Sequence, residues 1–66
     1  MQVQVNGDSI ELRDGATLTD LLEQMALVGK RIAIEVNLEI IPRSEHAQTT
    51  LNEGDQVEIV QAIGGG

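Results

Sequence analysis

The sequence predicts an α+β fold in which a sheet of four to five strands carries one helix on one of its faces. Three observations predict it. Polar and apolar residues alternate in several short runs, the period of half-buried strands. One segment alone shows helical spacing. Turn signals, such as Asn6-Gly7 and Asn52-Glu53-Gly54-Asp55, separate the runs.

In the first run, Gln2-Val3-Gln4-Val5, apolar residues alternate with glutamines. Asn6-Gly7 follows, a pair suited to the positive φ angles of a two-residue hairpin turn. Ser9-Ile10-Glu11-Leu12 alternates again, so the two runs predict an antiparallel hairpin burying Val3, Val5, Ile10 and Leu12. Asp14-Gly15 ends it. Thr17 is a candidate N-cap, with Asp20 three residues on as a variant of the capping box. Leu18, Leu21, Leu22 and Met25 fall at i, i+3, i+4 and i+7, on one helical face. Asp20 and Glu23 suit the positive end of the helix dipole. Gly29 is the predicted stop, which places the helix at about residues 18–28.

Ile32-Ala33-Ile34-Glu35-Val36 is rich in β-branched residues and predicts a third strand. Asn37-Leu38-Glu39 reads as a turn and Ile40-Ile41 as a brief strand stopped by Pro42. Ser44 to Leu51 has no clear period and room for one helical turn. Asn52-Glu53-Gly54-Asp55 is a turn signal, and Gln56 to Ile63 alternates as the last strand. One helix covers one face of this sheet, leaving the other to water or a partner. If Val57 and Ile59 pack on the helix, Val60 and Ala62 lie on the open face. They are either a docking surface or ordinary exposed apolar residues.

Composition excludes several functions. The chain has 66 residues, no cysteine and one histidine, so it holds neither a thiolate nor a His-cluster metal site. A chain this short buries roughly 60% of its unfolded surface. With no aromatic residue and a net charge of −7, it lacks the basic footprint and stacking platforms of a nucleic-acid binder. No apolar run approaches the ~20 residues of a membrane span, and no basic-then-apolar leader opens the sequence, so a cytoplasmic location is expected.

Candidate catalytic groups are few. His46, beside Glu45 and two residues from Ser44, reads as a solvated loop histidine, since triad members converge from separate elements. Glu35 with Glu39, or Glu53 with Asp55, would be the available carboxylate pairs, and nothing in the sequence marks either as buried. Gly64-Gly65-Gly66 precede no helix and so form no phosphate loop. At average usage such a triplet occurs at a given place in roughly 3 or 4 chains per 10,000. It directly follows the last strand, so the expected division is a domain over 1–63 and a flexible glycine tail over 64–66. The tail reads either as a bare ribbon that presents its carboxylate to another protein's active site or as a frayed end. From Ser44 to Gly66 there are no Lys or Arg but four acids, Glu45, Glu53, Asp55 and Glu58. These suit docking on a basic partner surface, or simply solvation.

Taken in order, the chain resembles the ubiquitin-like β-grasp sulfur carriers, and most closely the ThiS family that serves thiamine biosynthesis. The resemblance rests on Val3-Gln4-Val5-Asn6-Gly7, Gly15-Ala16-Thr17-Leu18 with Leu21-Leu22, and Ile32 to Asn37. Ile41-Pro42-Arg43, Gly54-Asp55-Gln56-Val57 and Ile63-Gly64-Gly65-Gly66 complete it. It implies a β-grasp fold with a mixed sheet. It also implies a protein cosubstrate that binds no cofactor or metal of its own and is acted on by partner enzymes. A ThiF-type adenylating enzyme would use ATP to activate the Gly66 carboxylate, preceded by Gly65. Sulfur from a source such as a cysteine desulfurase would convert it to a thiocarboxylate, and thiazole synthase (ThiG) would receive that sulfur. Gly64 matches members with three terminal glycines and is not essential to the pattern. The resemblance makes Val60, Ala62, Ile63 and Gly64 partner-binding candidates. The small subunit of molybdopterin synthase and a ubiquitin-like modifier or interaction domain are the alternatives. Proteins of the former kind are usually longer, and many have aromatic and proline residues just before their glycines, where this chain has Ile59-Val60-Gln61-Ala62-Ile63.

Overall fold

In the computed structural model, which describes residues 1–61, the Asn-Gly pair makes the predicted turn. Asn6 and Gly7 sit at φ 51° and 89°, the paired left-handed residues of a type I′ hairpin. They set β1 (Gln2–Val5) against β2 (Asp8–Glu11) with Val3 opposite Ile10 and Gln4 opposite Ser9. β2 begins one residue earlier than its alternation predicts. Leu12 falls beyond the ladder yet is buried in the core.

Helix α1 (Leu18–Gln24) opens with the predicted capping box. The Asp20 amide donates to Thr17 Oγ1 at 3.2 Å and the Thr17 amide to Asp20 Oδ2 at 2.9 Å. Arg13 also donates to Asp20 Oδ2, at 2.8 Å. Leu18, Leu21 and Leu22 are buried, as the spacing requires.

The helix stops four residues short of the predicted end. Ala26 turns left-handed, at φ 60°. The Leu27 amide reaches back to the Leu22 carbonyl at 2.8 Å and the Ala26 amide to the Glu23 carbonyl at 3.1 Å. This is a Schellman cap built on alanine instead of glycine. Its reason lies in Leu27. At 100° per residue, a continued helix would hold Leu27 half a turn from the face that buries Leu18. Reversing the chain at Ala26 packs Leu27 against the core cluster instead.

β3 (Ile32–Val36) and β4 (Glu39–Ile41) form a second hairpin, with Ile34 opposite Ile41, Glu35 opposite Ile40 and Val36 opposite Glu39. Glu39 belongs to the strand and not to the turn. The turn itself is Asn37-Leu38, both left-handed at φ 52° and 70°. The aperiodic stretch after Pro42 folds as a 3₁₀ helix, Arg43–Gln48. It buries His46, which is 6% exposed, correcting the expectation of a solvated loop histidine. His46 Nε2 lies 3.1 Å from the Ile41 carbonyl. A carbonyl only accepts, so Nε2 carries the proton.

β5 (Gln56–Gln61) completes a five-stranded mixed sheet of order β2-β1-β5-β3-β4. β5 runs parallel to β1, pairing Gln4 with Gln56 and Val5 with Val57. It runs antiparallel to β3 from Val36–Val57 to Ile32–Gln61. This is the α+β architecture expected, with α1 on one face. The core is wholly aliphatic, with Val3, Leu18, Leu21, Ile34, Leu51 and Val57 among its most buried members. No described helix is long and apolar enough to cross a membrane.

Two stability predictions follow from these caps. The Asp20 carboxyl is held below the ordinary 3.8, chiefly by the Thr17 backbone N–H, against some desolvation, and further by Arg13 and the Thr17 hydroxyl. A lowered folded value means that its contribution is present above the unfolded value and lost as pH falls through the folded one. The stability advantage of the native chain over Asp20→Asn, measured by urea midpoints, is therefore expected to be largest at neutral pH and to shrink in the acid range. Ala26→Gly is expected to raise stability by about 0.5–1 kcal/mol, because it removes the left-handed strain of alanine at some cost in chain entropy. A lower thermal midpoint for that variant would show that the cap is not strained.

Candidate functional site

Strand β5 is the element that leads toward the glycines, and two asparagines fix it from either side. The Asn6 side chain accepts from the Ile59 amide at 2.8 Å and donates to the Ile59 carbonyl at 3.1 Å. Its carboxamide thus stands in for a strand residue and extends the parallel ladder beyond β1. The Asn37 side chain accepts from the Gln56 amide at 3.0 Å and donates to Asp55 Oδ1 at 3.1 Å. The Asn37 amide donates to the Gln56 carbonyl at 2.7 Å. Sequence reasoning treats both as turn residues only. The missed signal is that each hairpin turn opens on Asn, whose carboxamide both donates and accepts.

The face opposite α1 is open. Val60 stands on it, 64% exposed and opposite Ala33. Ile40, 72% exposed, lies beyond Glu35 in the next row, and Glu35 is itself directly opposite Glu58. Leu38, 85% exposed, caps the hairpin tip. The structure therefore puts Val60 on the open face, where alternation predicts, and Ile40 is exposed on the same face. Ala62, Ile63, Gly64, Gly65 and Gly66 lie outside the described residues.

The candidate carboxylate pairs do not form acid–base sites. Glu35 and Glu39 fall on opposite faces, one opposite Ile40 and Glu58, the other opposite Val36. Glu53 accepts from the Gln2 amide at 2.9 Å, and Asp55 accepts from the Asn52 amide at 2.8 Å, so both hold a turn. Among the described residues no group of three His, Cys, Asp or Glu is placed to hold a metal. Charge also divides differently in space than along the chain. Gln61 pairs with Ile32, so Lys30 and Arg31 border the strand end that sequence order makes purely acidic.

Residues 3–66 match the ThiS family. The chain belongs to that family. It is 35% identical to the sulfur carrier protein ThiS of Escherichia coli K12, over the full length of both. It is 39% identical over 66 residues to a thiazole synthase of Paramagnetospirillum magneticum, and it spans only 20% of that protein's length. The crystal structure of thiamine biosynthesis protein ThiS from Geobacter metallireducens superposes with a TM-score of 0.85 at 29% identity, covering the whole of both chains. The β-grasp architecture is thus that of the ThiS family.

The role of Asn6 is separable from its turn. Asn6→Gly keeps the left-handed conformation and loses both bonds to Ile59, at an expected cost of about 1 kcal/mol. Hydrogen exchange should then quicken at the Ile59 amide more than at amides within the β1–β2 hairpin. Unchanged exchange at Ile59 would show that the ladder needs no such extension.

Proposed function

We propose that this chain is a sulfur carrier of thiamine biosynthesis, a protein cosubstrate whose working group is the carboxylate of Gly66. A carboxylate is a poor electrophile. A ThiF-type partner enzyme uses ATP to convert it to an acyl-adenylate, with release of pyrophosphate. The outer sulfur of a persulfide loaded by a cysteine desulfurase then attacks the carbonyl carbon and displaces AMP, and a thiol cleaves the resulting acyl disulfide to leave the thiocarboxylate and a disulfide. Thiazole synthase takes that sulfur. ATP belongs to the activating enzyme, and this chain contributes its tail and its surface.

The observation that carries the reading is the placement of β5. It is the central strand, held on both edges, and it heads toward Gly64-Gly65-Gly66 from the rigid middle of the sheet. Family membership through residue 66 supports it. So does the thiazole synthase relative, in which a segment similar to this chain forms part of one longer protein. The scarcity of side chains suited to acid–base work fits a carrier better than an enzyme. On this reading the open-face residue Val60 and the positions Ala62, Ile63 and Gly64 make the contacts that admit the tail.

The test is intact mass after incubation with ATP, the activating enzyme and a sulfur source. The expected product is heavier by the difference between one sulfur and one oxygen atom. A chain lacking Gly65 and Gly66 should gain nothing. Val60→Asp should slow adenylation while leaving the fold intact. An unchanged mass for the native chain would overturn the carrier reading.

A further inference from the structure

On the helix side of the sheet, away from the open face, lies a cleft of about 160 Å³. Its apolar part comes from Leu22, Leu27, Val28 and Ile32, and Val28 is 58% exposed on the rim. Its polar part comes from Lys30, Arg43 and His46. Arg43 Nη2 donates to the Lys30 carbonyl at 2.9 Å, which ties the guanidinium to the backbone of a neighbouring lining residue.

Three features mark this cleft as a place of contact. The chain has four basic residues against 11 acidic ones, and two of the four line this one cleft. Neither Lys30 nor Arg43 is in an ion pair among the described residues, whereas Arg13 is paired with Asp20. The ring of His46 is buried, yet only Nε2 is engaged, on the Ile41 carbonyl. In the neutral ring with its proton on Nε2, Nδ1 is an acceptor that takes no hydrogen bond among the described residues, and His46 is one of the residues that line the cleft. Finally, Ile32 lies in the cleft wall and pairs with Gln61. The cleft therefore adjoins the end of β5 that leads to the glycines.

Size and charge decide the occupant. Small-molecule sites usually enclose about 300–1,000 Å³, well above this volume, so the cleft suits one side chain better than a metabolite. Its cations call for carboxylates, its aliphatic wall calls for an aliphatic side chain, and the Nδ1 acceptor calls for an N–H or O–H. A protein segment offers all three together. We propose that the cleft is a second docking surface, on the helix side, for an acidic segment of a protein that takes up the tail. The segment sets one aliphatic side chain on Leu22, Leu27 and Val28, places carboxylates at Lys30 and Arg43, and donates a backbone N–H to His46 Nδ1. This rests on the carrier reading. It differs from the expectation of an acidic carrier on a basic partner, because here the carrier supplies the positive charge.

The experiment uses the full chain with its adenylating enzyme and, separately, with thiazole synthase, at low and high salt. Two variants on the cleft rim, Lys30→Glu and Val28→Asp, leave the Lys30 carbonyl free for Arg43 and the core untouched. Native circular dichroism and melting confirm their fold. For at least one enzyme, Lys30→Glu is expected to raise the half-saturating carrier concentration about tenfold at low salt, as the loss of one interprotein ion pair does. The turnover number should hold and the effect should shrink at high salt. Val28→Asp should raise it at both salts. Half-saturation within twofold of the native value for both variants and both enzymes overturns the proposal. So does tighter binding of Lys30→Glu, which would mark a basic partner surface. Formation of the thiocarboxylate by the native chain is read in the same reactions, so failure of the carrier reading shows separately as no gain in mass.

Discussion

Everything in this fold depends on β5 reaching the gap between β1 and β3. Those two strands belong to separate hairpins and do not pair with each other. Each hairpin alone is a two-stranded ribbon with one apolar face, marginal in water. β5 supplies the missing backbone partners on both edges at once, parallel on one side and antiparallel on the other. It also brings Val57 into the core beside Val3 and Ile34. The strand that leads to the glycines is thus the strand that joins the halves of the sheet. The course of β5 up to Gln61 is set only when the whole domain is folded.

The two asparagines make that junction firm. A strand that enters the middle of a sheet must find partners on both edges, because the N–H and C=O groups of successive residues point to alternate sides. β1 is only four residues long, and its hairpin turn begins at Asn6 while β5 continues. The Asn6 carboxamide covers the shortfall at Ile59, and Asn37 does the same at Gln56 on the other edge. Each turn residue therefore serves two purposes, which favours Asn over Asp, whose carboxylate accepts but does not donate.

Much of this was legible in the chain because local signals and the tertiary structure agree. Asn6-Gly7 demands a tight hairpin, and the Leu18-Leu21-Leu22 spacing demands a buried helical face. Alternation along Gln56 to Gln61 separates Val57 from Val60 correctly. Where the reading fell short, a distant partner outweighed the local signal. Gly29 is the stronger helix stop by propensity, but the burial of Leu27 ends the helix at Ala26. His46 sits in a polar, aperiodic stretch, and only the packing of the 3₁₀ helix against α1 buries it. Glu35 and Glu39 look like a pair four residues apart until a hairpin turn puts them on opposite faces. The cleft at Lys30 and Arg43 joins positions thirteen residues apart, which no window along the chain compares.

A glycine tail also constrains where recognition must come from. Glycine has no side chain, so three of them in a row carry reach and a carboxylate but almost no information that a partner can read. Specificity is a difference in affinity between right and wrong partners, and in a carrier of this kind that difference must come from the folded domain. The domain offers two unlike surfaces for it. The open face presents aliphatic residues among acids, with Glu35 set directly against Glu58 and no cation between them among the described ion pairs. Like charges opposed across strands cost stability, and a partner that brings a cation there relieves the cost. The helix side presents cations over an aliphatic cleft. On the proposed carrier reading, a chain that visits an activating enzyme and then an acceptor gains from such opposed surfaces, because each partner can be matched to one of them without weakening its fit to the other.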